Sequence, residues 1–359
     1  MAHLLTAPLA PAESLGVVRI VNPMETADWD EHLGRLTGAT FFHSSSWARV
    51  LWESYGYRPV YFVGEQDKRI VSLLPMVEVN SWLTGRRGVS LPFSDECQPL
   101  CPDSQSFRTL FNAARDYGIA RSWKYIEFRG GKMFLPEAPA ATCFLNHRLA
   151  LVGDKNAQYG QFNSSVRRAV RKAEKSELSI EFSRDLDAVH TFYALLCLTR
   201  KRHGVPPQPF SFFSHIYQQI LVPGKGWVVI ARHRGRPVAG AVFFHFGQSV
   251  LYKFGASDHS YQHLRANNLV MAQAIEWHRQ NGFTSFDFGR TSIHQRGLQE
   301  FKLGWGSAER QIEYVRLDPR KGEFLITPDD ESGLSQPIFR LLPVSISRVI
   351  GAALYRHVA

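Results

Sequence analysis

One order of hydrophobic patterns occurs twice along this chain, and that repetition limits the possible folds more than any single motif does. In the first half, Trp47, Val50, Leu51 and Tyr55 share a helical stripe over 44–55. Strand-like runs follow at 59–63 and 70–79, on either side of the turn Gln66-Asp67-Lys68. A third run at 88–91 leads into Pro92-Phe93-Ser94-Asp95. A helix over about 104–121 and strands at 125–128 and 144–152 complete the set. In the second half, Leu186, Val189, Phe192, Tyr193 and Leu196 form the stripe. Strands at 227–231, 237–246 and 250–254 follow, the last running into Gly255-Ala256-Ser257-Asp258. A helix over 268–281, capped by Asn268 and stopped by Gly282, precedes strands at 285–288 and 311–316. A helix between two strands implies a crossover and some parallel pairing. The expected fold class is therefore α/β with an α+β-like mixed sheet, in two similar domains at 17–153 and 154–320. Tails at 1–16 and 321–359 flank them.

A length of 359 residues with 13% aromatics is enough for two cores. The longest apolar stretch, 239–244, falls far short of the roughly 18 residues of a membrane span. The first residues carry no Lys or Arg before their apolar run, and Pro8 and Pro11 interrupt it. No cleaved signal is expected, and the expected location is the cytoplasm. The four cysteines, at 97, 101, 143 and 197, form no Cys-x-x-Cys pair, so no metal is expected. With 42 Lys+Arg against 32 Asp+Glu, the net charge of +10 creates a field that attracts phosphates. Nucleic acid, nucleotide sugars, acyl-CoA and anionic membranes all fit.

Two segments concentrate that charge. Over 162–176, Phe162, Val166, Ala169, Val170 and Ala173 form an apolar face, and Arg167, Arg168, Arg171, Lys172 and Lys175 form its opposite. This is either a solvated helix face or a grip on phosphates. The segment 338–358 carries Arg340, Arg348 and Arg356 among aliphatics, with no acid. It reads as an amphipathic helix that either lies on an anionic membrane or packs on the body of the protein.

The stretch 286–306 carries the chemistry. A strand ends in Gly289-Arg290, and a polar loop with Thr291, Ser292, His294 and Arg296 follows. Gly297-Leu298 then leads to Phe301-Lys302, before Gly304-Trp305-Gly306 breaks the chain. Charged residues at a strand mouth, flanked by glycines and aromatics, suit a site better than a core. No Ser-His-Asp or Cys-His pattern points to a covalent acyl-enzyme.

Five motifs together resemble the Fem-like branch of the GNAT acyltransferase superfamily, proteins with two GNAT-type domains in tandem that are related to the peptidoglycan aminoacyltransferases. They are Leu91-Pro92-Phe93-Ser94-Asp95, the basic run 166–175, Arg265-Ala266-Asn267-Asn268, Phe286-Asp287-Phe288-Gly289-Arg290, and Gly297-Leu298-Gln299-Glu300-Phe301-Lys302. The similarity covers about 17–318 and looks closest to Fem-like proteins of exopolysaccharide and PEP-CTERM settings. It implies twin GNAT-like domains and transfer of an acyl or aminoacyl group to an amine of a small-molecule or cell-envelope precursor. The implied donor is aminoacyl-tRNA or acyl-CoA, no cofactor is tightly bound, and a monomer suffices. The Fem Phe-Lys pair matches Phe301-Lys302, with Lys302 as the ammonium beside the developing oxyanion.

Lys302 reads otherwise as a solvated lysine. Asp95 is either a contact to the acceptor amine or a turn residue. Other candidates for the amine's proton are Asp258, His203 and His294. Arg290 either holds a carboxylate or phosphate bidentately or pairs with Asp287. Ser94, Tyr252, Lys253, Arg265, Asn267 and Trp305 complete the substrate-binding candidates, and Arg167, Arg168, Arg171 and Lys172 the phosphate-binding ones. One departure stands out: the segment 261–268 lacks the glycines with which CoA-using GNATs cradle a pyrophosphate. An acyl-CoA N-acetyltransferase and a non-catalytic scaffold or polyanion-binding module are the alternatives.

Overall fold

A computed structural model describes residues 18–326 and 338–358. The tail expected at 1–16 and the stretch 327–337 lie outside them. The strands are β1 (Val18–Val21), β2 (Arg58–Pro59), β3 (Tyr61–Gln66), β4 (Arg69–Leu74), β5 (Val77–Ser81), β6 (Gly85–Val89), β7 (Ile126–Arg129), β8 (Thr142–Ala150), β9 (Leu178–Ser183), β10 (Gly226–His233), β11 (Arg236–Phe246), β12 (Ser249–Ser257), β13 (Ser285–Ser292), β14 (Ala308–Asp318) and β15 (Glu323–Leu325). The α-helices are α1 (Trp29–Gly34), α2 (Ser45–Tyr55), α3 (Ser104–Ala120), α4 (Lys155–Gln161), α5 (Ser164–Glu174), α6 (Leu186–His203), α7 (Phe210–Ile216), α8 (Ala266–Gln280), α9 (Arg296–Leu303), α10 (Ile338–Leu341) and α11 (Val344–Leu354).

The mixed α/β fold follows the pattern in the sequence. Most strands join one sheet in the order β2-β5-β6-β7-β14-β8-β13-β12-β11-β10-β9, and β1, β3 and β4 form a small second sheet. Each half contains a parallel pair bridged by a helix, β6 with β7 across α3 and β12 with β13 across α8. The middle of the large sheet is an exchange. β14, from the C-terminal half, pairs with β7 of the first half, while β8, from the first half, pairs with β13 of the second. β14 and β8 also pair with each other. The sheet is thus continuous between the two halves.

Two local expectations change, and one segment that offered two readings packs on the body. The run 70–79 is two strands, because Pro75 lacks an N–H and the hairpin bends there, sending β4 into the small sheet and β5 into the large one. Asn268 is not a cap: α8 begins two residues earlier, at Ala266, after Arg265 in the left-handed conformation (φ 58°). The C-terminal helix packs on the body. Ser347, Gly351 and Tyr355 are buried on one face, and the Tyr57 hydroxyl donates to the Tyr355 carbonyl at 3.0 Å.

The exchange is locked by charge. Glu127 on β7 is almost wholly buried and accepts from Arg129 at 2.8 Å and from Arg316 on β14 at 2.7 Å. Burial alone would raise its carboxyl, but the two guanidiniums hold it below the usual carboxylate range. Replacing Glu127 with Ala leaves buried guanidinium charge uncompensated. Urea denaturation is expected to show a loss of about 3–5 kcal/mol, and a loss under about 1 kcal/mol would mean that the cluster behaves like a surface pair.

Candidate active site

The site forms where β12 and β13 part. Their parallel pairing is confined to Ser249–Leu251 against Ser285–Asp287. Beyond that point each strand has a bulge. Lys253 is the extra residue of β12 against β11, and β13 carries an extra residue between Asp287 and Arg290 against β8. Gly289, inside the second bulge, has φ 69°, and a Cβ there would sit 3.0 Å from Asp95 Oδ2. The first half therefore approaches the parted strands at a backbone position without a side chain.

That approach is made by the turn after β6. Leu91 and Phe93 are both in the left-handed region, with φ 51° and 59°. The turn is held by Ser94 Oγ donating to the Leu91 carbonyl at 2.6 Å. Lys253 Nζ donates to the Phe93 carbonyl at 2.7 Å and lies 3.3 Å from both Asp95 oxygens. It is buried against the rings of Phe42, Trp47 and Phe254. Burial pulls its pKa down and Asp95 pulls it back up. From β14, Tyr314 donates to the Asp95 carbonyl at 2.7 Å and accepts from Arg290 at 2.9 Å.

Lys302 lies beneath this layer, 2% exposed. Its Nζ donates to the carbonyls of Gly289 at 2.7 Å and Arg290 at 3.1 Å. An ammonium has three N–H donors, so one remains beyond these two carbonyls. Burial lowers its pKa to about 8, while Asp95 and Asp287 oppose the shift and Lys253 and Arg290 add to it. The solvated-lysine reading does not fit this burial.

Asp287 braces the bulge. Its Oδ1 accepts from Gly289 N–H and Asn146 Nδ2, both at 2.7 Å, and its Oδ2 accepts from Arg148 at 3.2 Å. Its expected partner Arg290 goes instead to Tyr314 and, at 4.0 Å, to Asp95. A cavity of about 240 Å³ opens beside these groups. Asp95, Asp287 and Arg148 line its polar side, and Phe41, Phe42 and Phe244 its apolar side.

Asp95, Ser94, Lys253, Arg290, Asp287 and Lys302 thus converge from both halves. Phe301 packs edge-on to Trp305, at 6.0 Å between ring centroids. Trp305 itself is fully buried against Phe162, so it is core and not a substrate contact. The Tyr252 ring packs on Phe243, and burial raises its hydroxyl to about 12. Asp258 caps the short helix 259–264 and pairs with Arg236, and His203 is exposed at the end of α6 beside Arg202, so neither joins the cluster. His294 is exposed in the loop before α9.

Arg265 and Asn267 are exposed at the start of α8, outside the cavity. Arg265 supplies there the positive φ for which a glycine is usually needed, and its carbonyl accepts from the N–H groups of Asn268 at 2.9 Å and Leu269 at 3.3 Å. The basic helix α5 ends close by. The carbonyl of Ser176, just past α5, accepts from His233, whose ring faces Tyr261 in the lead-in to α8. Arg168, Arg171 and Lys172 are exposed, and Arg167 is half-buried.

Residues 160–309 match the acetyltransferase (GNAT) domain family. The fold is similar to the crystal structure of FemX, with a TM-score of 0.67 at 13% identity, over 83% of this chain and 96% of that one. The tandem GNAT protein from the clavulanic acid biosynthesis pathway aligns with a TM-score of 0.54 at 10% identity, over 84% and 98%. The second half thus matches a GNAT acetyltransferase domain, and the fold of the chain is that of FemX and of the tandem GNAT protein. No curated protein matches its sequence.

Several groups in this candidate site had no motif to announce them. Asn146 and Arg148 reach it from β8, and Tyr314 from β14. His147 lies buried near Lys302, 2.9 Å from Glu309, and its Nδ1 has no partner among the described residues. Burial, then the Lys302 charge, lowers its pKa.

The Lys302 shift has a measurable consequence for stability. Its folded value of about 8 lies below the ordinary lysine value of 10.5, so between those values the unfolded chain binds more protons. Stability contributed by this group therefore rises with pH across that window. Urea titrations at several pH values should show that rise in the wild type and its loss in Lys302→Met; identical profiles would contradict the burial of the charge.

Proposed function

We propose that this chain transfers an acyl or aminoacyl group to an amine bound in the cavity between the two halves. The reading is carried by the buried Lys302 ammonium at the parting of β12 and β13, facing a first-half carboxylate, Asp95. The amine nitrogen attacks the donor carbonyl carbon, and the carbonyl oxygen gains negative charge as the C–N bond forms. The third N–H of Lys302 serves that oxygen. The ester or thioester bond then breaks, and the leaving oxygen or sulfur departs with the bonding pair. Asp95 takes the proton from the amine, or the leaving group takes it directly. Arg290 and Lys253 hold the Asp95 turn in place. The Fem-like resemblance suggests a cell-envelope or exopolysaccharide precursor as acceptor.

The donor carries phosphates in this reading. The start of α8, with Arg265 beside it, suits a pyrophosphate without a glycine loop, which favours acyl-CoA. The basic face of α5 ends close by and continues the positive surface over a length that suits a polynucleotide, which favours aminoacyl-tRNA. Transfer assays with radiolabelled acetyl-CoA and aminoacyl-tRNA distinguish the two. Replacing Arg168, Arg171 and Lys172 with Gln is expected to raise KM for a tRNA donor and flatten its salt dependence, leaving kcat unchanged. Equal salt slopes before and after would remove the helix from the donor site.

Lys302→Met is expected to lower transfer by about 10²–10³ while the protein stays folded by circular dichroism. Wild-type activity should fall as pH rises through about 8, where this ammonium loses its proton. A folded variant with wild-type turnover would remove Lys302 from the chemistry.

A further inference from the structure

The docked C-terminal helix and the β5–β6 hairpin form a composite surface unrelated to the cavity. On α11, Ser347, Gly351 and Tyr355 face the body, and a Cβ on Gly351 would meet the Pro207 carbonyl at 1.9 Å, so the helix is seated tightly. Val349 stands nearly opposite that face and is 71% exposed, with Ile346 at 46%. Leu341, at the end of α10, is 84% exposed. Such exposure is unusual for a run of aliphatics on a helix that already has a buried face.

The hairpin tip extends the same surface past the helix end. Trp82 is 85% exposed and Leu83 55%. The Trp82 ring stands edge-on to His357, at 5.4 Å between centroids. Ser81 Oγ lies 2.9 Å from His357 Nδ1, and Thr84 and Arg87 both donate to the His357 carbonyl, at 3.0 and 2.9 Å. The hairpin and the end of the tail are therefore one rigid unit, with Val358 beside it. An indole held at a rigid, solvent-facing tip has an apolar body and a polar N–H, the combination favoured where hydrocarbon meets water.

Charge selects the partner. Arg340, Arg348 and Arg356 are exposed along the tail, and no Asp or Glu occurs between 338 and 358 or between 79 and 87. Arg86 and Lys124 stand at the hairpin base, where they bond the carbonyls of Arg121 and Thr84. An apolar strip whose own segments carry arginines and no acid matches a bilayer of anionic lipids, which offers hydrocarbon beneath a layer of negative charge. No helix among the described residues is long and apolar enough to cross a membrane, so the contact is with the surface.

We propose that Trp82, Leu83 and the outer face of α10–α11 dock this protein onto an anionic membrane surface. The unit binds as folded, without release of the helix, and independently of any acyl transfer. The test is co-sedimentation of the full chain with vesicles of phosphatidylcholine alone and of phosphatidylcholine mixed with phosphatidylglycerol, at low and high salt. Two double variants, Trp82→Gln with Leu83→Ser and Ile346→Ser with Val349→Ser, are compared with an α5 variant carrying Arg168→Gln and Lys172→Gln. All five positions apart from Ile346 are well exposed, and circular dichroism checks that each variant is folded.

The expected result is binding to the mixed vesicles only, weakened by salt, at least tenfold weaker in both double variants and unchanged in the α5 variant. Brominated lipid should quench wild-type fluorescence more than that of Trp82→Phe. Three results would overturn the proposal: no vesicle binding by the wild type, wild-type binding by both double variants, or loss of binding only in the α5 variant. A self-association that the double variants abolish, with no vesicle binding, would assign the surface to a second copy instead.

Discussion

Everything in the site depends on the exchange of β8 and β14 at the middle of the sheet. Because β14 pairs with β7 on one side and β8 on the other, the two halves share backbone hydrogen bonds across the boundary between them. The Asp95 turn of the first half is therefore held against the parted strands of the second by a continuous sheet, not by a soft interface. Tyr314 makes the link explicit. It belongs to the exchanged strand, and its hydroxyl ties the Asp95 carbonyl to the Arg290 guanidinium.

On that frame the electrostatics are arranged in layers. Lys253 and Arg290 neutralise Asp95 from above, and Asp287 is satisfied by Asn146, Arg148 and the Gly289 amide. Lys302 is bonded to two backbone carbonyls, which carry no countercharge. A buried ammonium without a direct carboxylate partner keeps much of its field for whatever enters beside it. Burial of that charge depresses its pKa, and the same burial costs stability while the group is protonated.

The sequence revealed the architecture well because hydrophobic periodicity is local. The stripes on α2 and α6 and the strand–helix–strand units around α3 and α8 were all readable. What depends on distance was not. Nothing in the residues 142–150 and 308–318 marks them as exchanged strands, since both alternate as any half-buried strand would. Asn146, Arg148 and Tyr314 were consequently invisible as site residues. Lys302, Asp95 and Arg290 became candidates through a resemblance of motifs, whereas Trp305 is core: a tryptophan between two glycines looks the same in a core as in a pocket. Arg265 shows the converse. The segment before α8 has no glycine, yet Arg265 adopts the left-handed backbone conformation that glycine usually supplies.

The most direct measurement is a crystal structure with a non-hydrolysable donor, an amide-linked aminoacyl adenosine or a CoA thioether ketone. The account predicts the donor's carbonyl oxygen about 3 Å from Lys302 Nζ, between β12 and β13, with its carbon open to the cavity beside Asp95. A donor whose carbonyl lies against the first half, or whose oxygen is served by other groups while Lys302 keeps only its two backbone carbonyls, would contradict it.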